Sequence, residues 1–184
     1  MQIVYQGKTK TGKQIIVRYP KEGDEKEMCR YINELSKEKT FVRFQGEEIL
    51  LENEANYLVA QLERIKAKTA MTLFVFEGDK LIAIADINML DKTEKHLGVL
   101  ALSVAKNFRG EGIGKLLMDL LLKEAEKELS DLKIITLDVY QANVIAQKLY
   151  KELGFVEYGM LPNGVSRNNT FEDRILMYKN LRQL

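Results

Sequence analysis

The 184 residues carry 28 Lys and Arg against 27 Asp and Glu, for a formal charge of +1, and are 46% hydrophobic and 30% charged. This ordinary globular composition gives no electrostatic case for nucleic acid or an anionic membrane as the main partner. No apolar run reaches membrane-spanning length, the first residues lack the apolar core of a secretory signal, and the single cysteine, Cys29, cannot form an internal disulfide. A cytoplasmic location and one domain over residues 1–184 are the expectations.

In chain order, Ile3-Val4-Tyr5 and Gln14 to Tyr19 read as two strands joined by a Gly- and Lys-containing turn, an N-terminal hairpin within residues 1–20. Pro20 and Gly23 stop the second strand, and Asp24 with Glu27 has the spacing of a helix capping box. Met28, Tyr31, Ile32 and Leu35 follow at helical spacing. Ser36 to Glu48 has no clean period and reads as a surface excursion, after which Ala55, Leu58, Leu62 and Ile65 return to helical spacing. Met71 to Phe76 and Leu81 to Ile87 are apolar strands separated by Glu77-Gly78-Asp79-Lys80, a hairpin signal. Leu90 to Leu97 is a polar connection holding the only histidine, His96. Lys133 to Tyr140 is a further strand. Ala142, Ile145, Ala146, Leu149, Tyr150 and Leu153 form one face of a last helix that Gly154 closes. Phe155 to Met160 and Phe171 to Tyr178 read as a closing strand pair around a loop, Leu161 to Thr170.

The most informative stretch lies in the middle. Val99 to Val104 is a short apolar strand, and apolar residues at 113, 116, 117, 120, 121, 125 and 129 trace a helix face. Between them stands Arg109-Gly110-Glu111-Gly112-Ile113-Gly114-Lys115. Alternating glycines let backbone approach a ligand closely, and the first helix amides point outward at the positive end of the dipole. Such a turn suits phosphate, with Arg109 and Lys115 adding charge. A P-loop would need four residues between its glycines and a hydroxyl where Leu116 stands; a dinucleotide fingerprint would need glycine at Lys115.

Arg109-x-x-Gly112-x-Gly114, after a strand and opening a helix, resembles the pyrophosphate-binding motif of the GNAT superfamily of acetyl-CoA-dependent N-acetyltransferases. Downstream, Asn143-x-x-Ala146-x-x-Leu149-Tyr150-x-x-x-Gly154-Phe155 is similar to a second segment of that family. The resemblance is sharp over about Leu97 to Gly159, so residues 97–160 are expected to form the cofactor-binding core of a single N-acetyltransferase domain. It implies a mixed α/β fold, with a mostly antiparallel central sheet of about seven strands flanked by about four helices.

The same resemblance implies transfer of acetyl from acetyl-CoA to a primary amine, on a small molecule, a protein N-terminus or a lysine. Leu102, Ser103 and Val104 would offer main-chain groups to pantetheine. Arg109, Gly110, Glu111, Gly112, Ile113, Gly114 and Lys115 would bind pyrophosphate, and Asn143 would also contact the cofactor. Tyr150 corresponds to a tyrosine that often protonates the departing thiolate; the residue pattern alone would equally make it a core residue. Asp138 stands where ribosomal-protein N-terminal acetyltransferases carry a glutamate, and it is the candidate base, with Glu34, Glu38, Glu47, Glu48 and His96 as alternatives. No His/Cys cluster has metal-ligand spacing, so no metal is expected. A homodimer is compatible with the resemblance. A catalytically silent CoA-binding protein and a binder of another phosphorylated ligand remain as other readings.

Overall fold

The computed structural model describes residues 2–167 and 169–182. Among them lie eight strands and four α-helices: β1 (Ile3–Lys8), β2 (Gln14–Arg18), α1 (Glu25–Lys37), α2 (Leu51–Lys66), β3 (Ala70–Glu77), β4 (Lys80–Met89), β5 (Leu97–Val104), α3 (Ile113–Glu128), β6 (Ile134–Tyr140), α4 (Val144–Glu152), β7 (Val156–Arg167) and β8 (Thr170–Asn180). The strands form one mixed sheet in the order β1-β2-β3-β4-β5-β6-β8-β7. The β5–β6 pair is parallel, whereas β1–β2, β2–β3, β6–β8 and β7–β8 are antiparallel. This is the expected mixed α/β class, with one strand more than expected. No helix among the described residues is long and apolar enough to cross a membrane.

Contacts divide the chain into two compact units, Met1–Ile87 with Ala101–Leu129 and Asn88–Leu100 with Ser130–Leu184. In the first, β3 is an inner strand buried at every residue but its last; its one buried polar side chain, Thr72, accepts a 2.7 Å hydrogen bond from Gln61. Met28, Tyr31 and Leu35 of α1 and Leu58 of α2 pack with Phe74, Phe76 and Leu81 into one core cluster. Each such side chain contributes about 2 kcal/mol. On α3, Ile113, Leu117, Met118, Leu121 and Ala125 are buried.

The expected capping box at Asp24 does not form. The Asp24 carboxylate instead accepts two hydrogen bonds of 2.7 Å from the Arg18 guanidinium and one of 2.9 Å from the Lys21 amide. Glu27 accepts from Arg30 and from the Leu81 amide. A buried guanidinium competes more strongly for that carboxylate than a helix amide does, because an uncompensated buried charge is costly. Arg18 also stacks 4.1 Å from the Phe76 ring centre. Asp24→Ala is therefore expected to cost about 3–5 kcal/mol in urea unfolding. A loss under about 1 kcal/mol would mean that Arg18 is not held by Asp24.

In the second unit, Ile135, Leu137 and Val139 of β6 are buried together with Ile175 and Met177 of β8. Thr136, Asp138 and Tyr140 alternate with them on the more open side. Gly154, at φ +84°, ends α4 as expected, and the Phe155 amide returns to the Tyr150 carbonyl. Two expectations need correction. Ile145 is 83% exposed and does not join the buried face of α4. The stretch expected as the loop Leu161 to Thr170 is mostly strand: β7 runs on to Arg167, with an irregularity between Leu161 and Val165. β7 is the edge strand, where Pro162 can sit without breaking a ladder and Asn163 takes a positive φ of 53°. Asn168, within that stretch, lies outside the described residues.

Candidate active site

β5 leads into the glycine turn. Its parallel ladder with β6 carries the pairs Leu97–Ile134, Gly98–Ile135 and Val99–Thr136 and ends there, while β5 continues to Val104. Leu102, Ser103 and Val104 are thus outside that ladder, and all three are only half-buried. Ser103 Oγ accepts a 2.9 Å hydrogen bond from the buried Tyr31 hydroxyl, and the Val104 carbonyl accepts one of 2.9 Å from Arg109 Nε.

A short 3-10 turn, Lys106–Phe108, follows β5. Gly110 and Gly112 take φ of +78° and +85°, in the left-handed region that disfavours a side chain. Gly112 is the N-cap of α3 and brings no capping side chain, so the amides of Ile113, Gly114 and Lys115 face outward. Lys115 is exposed on the first turn. Uncapped helix amides beside an exposed ammonium have the chemistry to attract an anion.

Two residues of the motif point elsewhere. The Arg109 guanidinium holds Glu38, just past the end of α1, at 2.6 Å. The Glu111 carboxylate accepts from Lys13 and Thr11, at 2.6 Å each, and these bonds hold it down at about 2. Neither partnership was visible in the sequence, because Lys13 and Glu111 lie 98 residues apart and no local pattern links them.

In the second unit, Asn143 caps α4, its Oδ1 accepting from the Ala146 amide at 3.2 Å. Tyr150 is 6% exposed and packs on Phe155 with ring centres 5.9 Å apart. Its hydroxyl makes no hydrogen bond among the described residues and is not one of their buried unsatisfied atoms, so the ring is buried while the hydroxyl reaches solvent. Burial, and secondarily the charge of Asp138, push it up to about 12. Asp138 is half-exposed and lies 3.6 Å from Arg174 Nε, too far for a hydrogen bond.

The alternative bases are otherwise occupied or remote in role. Glu34 pairs with Arg30 at 2.8 Å, Glu38 with Arg109, and Glu47 with the Gln45 amide. Glu47 and Glu48 also border a cleft of about 410 Å³ with Arg43, Phe44 and Asn53. His96 is half-buried, and its carbonyl accepts from the Lys133 and Ile134 amides.

Residues 25–155 match the family model described as the acetyltransferase (GNAT) family. The chain belongs to the GNAT family. Among solved structures, a GNAT-family acetyltransferase from Streptococcus pneumoniae is 26% identical with a TM-score of 0.83, covering 90% of this chain and 99% of that one. A ribosomal-protein-alanine N-acetyltransferase from Brucella melitensis is 21% identical with a TM-score of 0.77, covering 89% and 98%. A Salmonella typhimurium protein solved with its cofactor acetyl-CoA is 14% identical with a TM-score of 0.79, covering 92% and 95%. The latter two show likeness of fold alone. No curated protein matches the chain significantly. The GNAT assignment agrees with the glycine turn, which opens α3 after β5.

Proposed function

We propose that the chain acts as one cytoplasmic N-acetyltransferase domain that moves acetyl from acetyl-CoA to a primary amine. The observation that carries this reading is the glycine turn: two left-handed glycines ahead of a helix start whose amides no side chain caps. Acetyl-CoA supplies the activated thioester. Gly110, Gly112, Ile113, Gly114 and Lys115 hold its pyrophosphate through main-chain amides and one ammonium. Leu102, Ser103 and Val104 offer β5 main-chain groups to the amide-rich pantetheine arm. Arg109, with its charge balanced by Glu38, fixes the turn to the end of β5. Asn143 orders the start of α4 and contributes to cofactor contact. The acceptor is an amine on a small molecule, a protein N-terminus or a lysine; the Brucella relative makes a protein N-terminus one concrete substrate to try.

Tyr150 holds its proton at neutral pH and donates to the sulfur as charge builds there. Its raised pKa makes complete proton release uphill toward a thiolate of ordinary basicity, so hydrogen-bond donation is the larger part of its role. That shift has a stability consequence as well. The contribution of the buried phenol is fully present below about pH 10 and is lost as pH rises through about 12.

Asp138 takes the amine proton, through water, since its carboxylate is open to solvent and not hydrogen-bonded by Arg174. Asp138→Asn should lower kcat/KM several-fold, most strongly at acidic pH where few amines are already neutral, with the defect shrinking at high pH. A pH–rate profile identical to wild type would remove Asp138 from the mechanism.

Thermal shift tests the cofactor half of the reading. Acetyl-CoA should raise Tm, whereas ATP and NAD at equal concentration should not. A larger shift with either nucleotide would contradict it.

A further inference from the structure

The turn between β1 and β2 reaches the same loop. Thr9 to Lys13 form a tight reversal, the Thr9 amide donating to the Lys13 carbonyl at 2.9 Å and the Gly12 amide to the Thr9 carbonyl at 3.0 Å. Three contacts fasten this reversal to the glycine turn: Thr11 and Lys13 to the Glu111 carboxylate, and the Lys10 amide to the Glu111 carbonyl at 3.4 Å. Lys13 Nζ also lies 4.3 Å from the centre of the Phe108 ring and 3.5 Å from the Asn107 carbonyl.

The charges in this arrangement are unequal. Glu111 would repel an anion beside it, but Lys13 neutralises that carboxylate and Thr11 completes its hydrogen bonding. Lys10 is left over. It is exposed and has no ion pair among the described residues. Its stem nevertheless does not hang free in solvent. A Cβ built on Gly112 would stand 3.3 Å from Lys10 Cε and 3.8 Å from Cδ and Cγ, so the stem runs across the face of Gly112. The absent side chain at 112 thus serves both the left-handed backbone and the passage of Lys10. An ammonium with no counter-charge is carried to the helix start where the amides of α3 face outward.

We propose that Lys10 is a further cofactor-anchoring residue, whose ammonium joins the α3 amides in binding the pyrophosphate of coenzyme A. The proposal rests on the reading of the glycine turn as a coenzyme A site. The Glu111 clasp is what delivers Lys10, because it ties the β1–β2 turn to the loop at both ends of the Glu111 residue.

The test is calorimetric titration of wild type, Lys10→Met, Lys10→Glu and, as a control on the same hairpin, Lys8→Met. The ligands are acetyl-CoA, 3′-dephospho-CoA and inorganic pyrophosphate, each at low and high salt. Lys10→Met should weaken acetyl-CoA and dephospho-CoA alike by about five-fold, and Lys10→Glu by more than ten-fold. The salt dependence of binding should flatten in both variants, with Lys8→Met behaving as wild type. Equal binding by wild type and the Lys10 variants overturns the proposal, as does an equal loss in Lys8→Met. A loss confined to acetyl-CoA moves the contact to the 3′-phosphate and overturns the pyrophosphate assignment. If wild type binds pyrophosphate through Lys10 but not acetyl-CoA, the cofactor reading falls and the Lys10 contact stands. If it binds neither, both fall.

Discussion

Tyr150→Phe is expected to lower kcat by about 100-fold or more while leaving acetyl-CoA affinity almost unchanged. The ring packs against Phe155, and phenylalanine keeps that packing. What disappears is a hydroxyl that satisfies no other group among the described residues. That hydroxyl is not among the buried polar atoms left without a partner, so its removal neither breaks a bond nor relieves a buried unsatisfied donor. The variant should accordingly match wild type in thermal unfolding near neutral pH, and it should lose the alkaline destabilisation between about pH 10 and 12. Stopped turnover in a protein at least as stable would separate a proton donor from a core residue. An unchanged kcat would place Tyr150 in the core, with turnover limited by another step.

The second large effect is expected at Gly112. A valine there meets two separate obstacles. At φ +85° a β-branched residue is strained by about 1–3 kcal/mol, and its Cβ would press on the Lys10 stem at 3.3 Å. The side chain would also stand over the helix amides that the proposed function assigns to the pyrophosphate. Gly112→Val should therefore raise the acetyl-CoA Kd at least ten-fold, with a Tm loss that binding measurements at low temperature can bypass. Gly110→Ala is the informative companion. It shares the positive φ, but nothing lies within 4 Å of its would-be Cβ, so it should show the strain with far less loss of binding. Normal acetyl-CoA binding by folded Gly112→Val would refute the loop assignment.

How much of this was readable beforehand depends on the range of the interaction involved. The strand, glycine turn and helix from Val99 to Leu129 follow from local periodicity and backbone freedom, and they stand where expected. So do the Gly78-Asp79 hairpin and the Gly154 helix end, each decided within a few residues. Asp24 shows the opposite case. Its local spacing favours a cap, but Arg18, buried in the same core, takes the carboxylate instead. The length of β7 was hidden for a related reason: Pro162, Asn163 and Gly164 read as a loop, yet an edge strand absorbs them as an irregularity. In the candidate site, the glycines, Asn143 and Tyr150 are legible because each belongs to a short motif. The bonds from Thr11 and Lys13 to Glu111, and from Glu38 to Arg109, join residues that only the folded chain brings together.

The central claim is acetyl transfer to an amine, and the most direct measurement is release of free thiol from acetyl-CoA, read alongside the mass of the acceptor. A panel of primary amines, lysine-containing peptides and peptides with free N-termini would be offered in turn. Thiol should appear in step with a 1:1 acetylated product for at least one acceptor, and the rate should depend on both substrates and on Tyr150. Acetyl-CoA that raises Tm but is never consumed, whichever amine is supplied, would contradict the account and leave a coenzyme A-binding protein without turnover.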